Sequence, residues 1–167
     1  MGKTNGGTRN GVGGIANSTP ENKAEENEIK RSLAENRESL VSSIKETRMS
    51  GKVGELVNSE IDRAKDNIEN ALKQMEDAGT VNDVYEANSN LHRVVRSSVS
   101  RLSYVAELHE HNMGYSQGRT KNTLQKAADA LRSTAYEITK IIDGSGKYGL
   151  KELMRLEDIF RSQNRWK

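Results

Sequence analysis

Residues 84–109 read VYEANSNLHRVVRSSVSRLSYVAELH, and one set of positions in this stretch recurs in alternating steps of four and three. The set consists of Val84, Asn88, Leu91, Val95, Ser98, Leu102, Val105 and His109. A repeat that averages 3.5 residues keeps one stripe on one side of an α-helix, the seam along which helices pack nearly parallel or antiparallel. Residues 57–78 and 124–142 repeat the same rhythm with alanine and larger aliphatic side chains. The rhythm predicts an all-α fold, an elongated antiparallel four- to five-helix bundle with heptad seams. Burial inside one chain and an oligomeric coiled-coil surface both remain open for these seams.

Helix boundaries follow from turn and capping residues. Thr19 and Pro20 suit a helix start, and Gly51 and Gly54 interrupt the first helix after about residue 49. Gly79 ends a second helix that begins near residue 55, and Thr80 with the acid three positions later indicates a capped start for the third. The third helix is expected to reach about residue 112. Helices four and five are expected at about 120–142 and 148–164.

The chain divides into three regions by composition. Residues 1–20 are rich in glycine, asparagine and threonine and have little to bury, so they predict a flexible tail. Residues 21–143 hold the seams and predict the helical bundle. Residues 144–167 form a C-terminal basic and aromatic contact element.

Composition limits the class of protein. Apolar residues make up 33% of the chain and charged residues 30%, so a thick globular core is not expected. The net charge of +2 is far below that of a dedicated DNA-binding domain. The absence of cysteine excludes disulfides and thiolate metal sites, and no apolar run approaches the length of a membrane span. The sequence predicts a soluble protein without a cleavable signal peptide, in the cytoplasm or associated with a virion.

No catalytic or metal-binding constellation emerges. The two histidines of His109-Glu110-His111 point about 200° apart on a helix and cannot share a metal ion. No Gly-x-Ser-x-Gly or Walker A motif is present, and no histidine–acid pair can be placed beside a serine. We expect no enzyme activity, no metal, no cofactor and no small-molecule substrate.

Two sets of residues are candidates for binding. On the third helix Arg93, Arg96 and Arg101 lie among serines, which suits phosphate or carboxylate groups as well as an ordinary solvated face. Residues 144–167 carry six basic and three acidic side chains with the single Phe and the single Trp. The partner-binding residues expected there are Arg155, Phe160, Arg161, Arg165, Trp166 and Lys167, because aromatic and arginine side chains concentrate at interfaces. Alternatively, the fifth helix folds back onto its own bundle, or it meets an anionic membrane or nucleic acid.

The Gly/Asn/Thr-rich leader, MGKTNGGTRNGVGGIANSTP, followed by charged helices resembles small virion-associated or minor head proteins of tailed phages and prophages. The resemblance implies a structural component of a particle. Together these features predict a non-enzymatic helical interaction or assembly protein that binds a protein partner or its own copies. The alternative is a nucleic-acid-associated accessory factor, of packaging or mobilisation type, that uses basic helical faces.

Overall fold

The computed structural model describes residues 19–45, 49–143 and 150–167, and every regular element in these ranges is an α-helix. The helices are α1 (Pro20–Lys45), α2 (Gly51–Glu76), α3 (Val81–Met113), α4 (Gly118–Thr139) and α5 (Leu150–Ser162). The predicted all-α bundle is therefore confirmed. Of the predicted tail at residues 1–20, all but Thr19 and Pro20 lies outside the described residues.

Hydrogen-bonded caps fix the starts of α1 and α3. The Thr19 hydroxyl accepts from the Asn22 amide at 3.0 Å, and the Thr80 hydroxyl accepts from the Asp83 amide at 3.1 Å. The Asp83 carboxylate accepts from the Gly79 amide at 3.0 Å, one residue earlier than in a standard capping box. Both predicted caps are present.

The tight turn between α2 and α3 makes these helices antiparallel, as the sequence predicts. Near the turn, the Asn90 amide donates to the Gln74 side-chain oxygen at 2.8 Å. Farther from the turn on both helices, Arg101 Nε donates to Glu60 at 2.9 Å. Polar pairs thus connect the two helices along their outer edge.

Helix α3 is the longest element at 33 residues, about 50 Å at 1.5 Å per residue. Helix α4 packs against it, with Arg132 on Glu110 at 2.7 Å, and α5 packs near the start of α3, where Tyr85 donates to Glu157 at 3.3 Å. Helix α1 packs against α2 and α5. Helix α4 also packs against α2, and α4 and α5 both pack against α3.

The described part of segment 144–167 shares one core with the earlier helices. Leu153, Leu156, Ile159 and Phe160 of α5 are buried in the same apolar cluster as Ile29 of α1. The core therefore does not end at residue 143.

The Asn58 side chain of α2 binds the backbone of Met49, which lies just before the helix. The Asn58 side chain accepts from the Met49 amide at 3.0 Å and donates to the Met49 carbonyl at 2.6 Å. These two hydrogen bonds hold the Met49 backbone in contact with Gly54. A Cβ added at Gly54 would lie 2.8 Å from the Met49 carbonyl carbon and oxygen. Gly54 therefore stays inside a helix despite its low helix propensity.

We expect Gly54→Ala to destabilise the protein by about 1–3 kcal/mol, because the new methyl group displaces the Met49 backbone. The gain in helix propensity, about 1 kcal/mol, is too small to offset this overlap. Urea unfolding followed by circular dichroism measures the change. Gly79→Ala is the control, since its Cβ would meet nothing closer than an Asp83 oxygen at 3.8 Å. Equal free energies of unfolding for the two variants would contradict the close contact between Gly54 and the Met49 backbone.

Candidate interaction surfaces

The C-terminal clasp is formed by Arg165 and the groups that it binds on α1 and on the α2–α3 turn. Its guanidinium donates to Glu26 at 2.8 Å and to the Gly79 carbonyl at 3.2 Å. The same guanidinium lies 4.1 Å from the centre of the Phe160 ring. One side chain thus connects α1, the α2–α3 turn and α5.

The chain reverses after α5 in a way that places Arg165 in this position. Asn164 has a φ of 57°, the left-handed conformation in which asparagine is enriched. The Arg165 amide donates to the Phe160 carbonyl at 2.8 Å, and the Asn164 amide to the Arg161 carbonyl at 3.1 Å, the two bonds of a Schellman motif. The Arg165 carbonyl then accepts from the Val81 amide at 2.7 Å and satisfies a free donor at the start of α3.

Glu26 is the buried partner in the clasp, with 3% of its surface exposed. Burial raises the pKa of this carboxyl group, but the hydrogen bond and charge of Arg165, with Lys23 and Lys30 nearby, bring the pKa below its ordinary value. Glu26 is therefore ionised at neutral pH, and its charge is compensated by Arg165 at 2.8 Å and by Lys30 at 3.5 Å.

The structure separates the predicted partner-binding residues into buried and exposed ones. Phe160 is fully buried in the core of its own chain, which corrects its assignment to a partner surface. Arg165 is engaged in the clasp. Arg155 pairs with Glu25 at 3.3 Å, at the surface. The exposed residues are Arg155, Arg161, Trp166 and Lys167.

Arg161, Tyr85 and Trp166 form an exposed stack near the clasp. Arg161 lies 4.8 Å from the Trp166 ring centre and 5.7 Å from that of Tyr85, and it also bonds Glu157 and the Tyr85 hydroxyl. Trp166 remains 42% exposed. A role for this residue in partner binding stays a prediction.

The three arginines predicted to bind anions have different surroundings. Both oxygens of Glu60 accept from Arg101, at 2.9 and 3.0 Å, and these bonds hold the pKa of Glu60 below its ordinary value. Arg101 is therefore already neutralised. Arg93 bonds the Asn90 side-chain oxygen at 2.5 Å and lines a groove between α2 and α3, whereas Arg96 is exposed outside that groove.

Exposed apolar residues gather beside the Arg101–Glu60 pair. This α2–α3 strip consists of Leu56, Tyr104, Leu108 and Tyr115. Arg101 lies 6.0 Å from the Tyr104 ring centre. Leu56 precedes Glu60 by one turn, and Tyr104 follows Arg101 by about one turn, so both lie on the same side of the pair. Tyr115, 82% exposed, packs edge-on against His111 at 5.3 Å between ring centres.

Sequence reasoning missed the α2–α3 strip, although a signal was present. Positions 104, 108, 111 and 115 follow the same four-three rhythm as the seam, displaced to one flank of the helix. Such flanking positions are usually charged in helices that pack by heptads. Uncharged Tyr, Leu and His at four successive flank positions mark a face suited to a further contact.

The polar seam positions of α3 also differ from one another. Asn88 is exposed, as a position at the bundle margin would be. Ser98, by contrast, is only 7% exposed, so this polar seam position is buried. His109 is half-buried, its Nε2 atom has no partner among the described residues, and burial lowers its pKa.

Within the described ranges, no group of three or more His, Asp or Glu side chains is placed to hold a metal ion, and no helix is long and apolar enough to cross a membrane. No family model matches the chain, and no curated protein or solved structure is detectably similar to it.

We expect Arg165→Ala to destabilise the protein by about 2–4 kcal/mol, because it removes the shorter ion pair of the buried Glu26 and leaves only Lys30 at 3.5 Å. Thermal or urea unfolding measures the loss. The double variant Glu26→Leu with Arg165→Met should recover most of it, since the buried carboxylate is removed together with Arg165 and the Lys30 side chain is 29% exposed. Arg161→Ala is the control, because its pair with Glu157 lies at the surface. A loss with Arg161→Ala as large as with Arg165→Ala would contradict the clasp.

The half-buried His109 predicts a pH dependence of stability. Its folded-state pKa lies below the ordinary value of about 6.5, so the unfolded chain binds the proton more readily. Stability should therefore fall as pH decreases through about 6.5, and level off below the folded-state pKa. Urea unfolding between pH 7.5 and pH 5 measures the slope. Both His109→Leu and His109→Gln should flatten it; parallel curves for all three proteins would contradict the prediction.

Proposed function

We propose that this chain is a non-enzymatic helical interaction protein, an assembly or accessory component of a larger complex, and that it contacts its partner through the α2–α3 strip. The observation that carries the proposal is the exposure of Leu56, Tyr104, Leu108 and Tyr115 on one side of the bundle. Apolar side chains are scarce in this chain, so the core alone does not account for their place at the surface.

The chemistry of the strip suits a protein partner. Tyrosine buries a large area with little loss of conformational entropy and is enriched at binding hot spots. Tyr104 and Leu108 lie one turn apart on α3, and Tyr115 follows just beyond the end of the helix at Met113. An amphipathic helix that inserts apolar side chains between Leu56 and Leu108 matches this character.

Charge favours a protein partner over nucleic acid. Arg101, Arg155, Arg161 and Arg165, all of them candidate phosphate-binding residues, each contact a carboxylate of the same chain. A phosphate backbone would have to displace these carboxylates. The resemblance of residues 1–20 to minor head proteins leaves a phage particle as the proposed setting.

Site-specific photo-crosslinking tests the proposal. The photoreactive residue p-benzoylphenylalanine replaces Tyr104 in the full chain, expressed in its native cells, and mass spectrometry identifies the adduct. We expect one dominant adduct, whose peptides show whether the partner is another protein or a second copy. Leu108→Ser with Tyr115→Ser should reduce it at least about tenfold without changing the melting temperature, since both side chains are exposed.

The same replacement at Tyr136 is the matched control. Tyr136 is 64% exposed on α4 and lies close to Lys140 rather than to the strip. In a third arm of the experiment the photoreactive residue replaces Trp166. Its adducts, compared with those at position 104, show whether the C-terminal end contacts the same partner as the strip. Absence of an adduct at position 104, or the same set of adducts at positions 104 and 136, would contradict the proposed surface.

A further inference from the structure

A polar groove runs between α2 and α3, on the side of the bundle that also carries the α2–α3 strip. This amide groove has a volume of about 360 Å³. Its polar lining residues are Asn67, Asn70, Gln74, Asn90, Arg93 and the serine pair 97–98. The lining contains no aromatic side chain and no carboxylate, in a chain in which 30% of residues are charged.

A relay of hydrogen bonds orients the guanidinium of Arg93. Gln74 accepts from the Asn90 amide at 2.8 Å, which fixes the Asn90 oxygen toward Arg93. That oxygen accepts from Arg93 at 2.5 Å. Within the described ranges no carboxylate pairs with Arg93, so most of its donors remain available for a ligand.

Ser98 places a further hydroxyl group in the groove. Its side chain is 7% exposed and lines the groove. No side chain or backbone group of the described residues bonds this hydroxyl, and its oxygen is open to the groove rather than sealed from water. A ligand oxygen that enters the groove can take the place of that water as its partner.

We propose that the amide groove binds an oxyanion, a carboxylate or phosphate group, with Arg93 as its charge partner. The amides of Asn67 and Asn70 and the hydroxyl of Ser98 supply further donors. The adjoining surface of α2 carries Asp62 and Asp66, which repel an extended polyanion and favour a compact ligand. Arg101, bonded to Glu60, does not take part.

NMR titration of the isolated full chain tests the site at constant ionic strength, with inorganic phosphate in one arm and succinate in the other. We expect saturable shifts of the Arg93 Nε–H and of the Asn67, Asn70 and Asn90 side-chain amides, with a dissociation constant on the order of 1 mM. Saturation by phosphate alone identifies a phosphate site, and saturation by succinate alone identifies a carboxylate site; either result supports the proposal.

Arg93→Gln should weaken binding by at least about tenfold, because it removes the charged donor. Arg96→Gln is the matched control: Arg96 lies on the same helix, is exposed and does not line the groove, so its loss should leave affinity unchanged. Unmoved resonances in both arms, or equal weakening by the two variants, would overturn the proposal. The titration requires no protein partner, so its failure and that of the crosslinking experiment are distinguishable.

Discussion

The ion pair between Arg165 and Glu26 joins the first helix to the segment that follows the last helix. Glu26 belongs to the first helix and Arg165 follows the last, so the pair closes the chain across 139 positions. Arg165 also satisfies backbone groups of Gly79 and Val81 at the α2–α3 turn. Because Glu26 is buried, its charge requires partners, and Arg165, the nearer of its two ion-pair partners, reaches it through the chain reversal that ends α5. Asn164 makes that ending possible through its left-handed conformation.

The position of α5 determines which surfaces remain free. Helix α3 is longer than any other helix described, and α4 and α5 both pack against it. Helix α1 closes the opposite side through α2 and α5. Helix α4 packs against both α2 and α3, whereas the side of this pair that carries the groove and the exposed strip is open. The amide groove and the α2–α3 strip both lie there, next to the Arg101–Glu60 pair.

Local rules sufficed for the fold but not for the surfaces. The seam of Leu91, Val95 and Leu102 and the cap at Thr80 depend on neighbours in sequence, so rhythm and residue type predict them. Phe160 was misjudged because composition near a terminus does not reveal whether a helix folds back; its burial requires α1 and α3 as partners. Arg101 was misjudged for the same reason, since its neutralisation by Glu60 joins residues 41 positions apart. Ser98 is polar by sequence and buried only through tertiary packing.

The central claim is that α5 completes the core of the bundle by folding back onto α1 and α3. Hydrogen–deuterium exchange of the isolated full chain tests it most directly, because exchange reports the stability of each helix separately. The claim predicts that the amides of residues 153–160 exchange as slowly as those of residues 29–40 in α1. Exchange of residues 153–160 at the rate of an unstructured peptide, with α1 still protected, would contradict it.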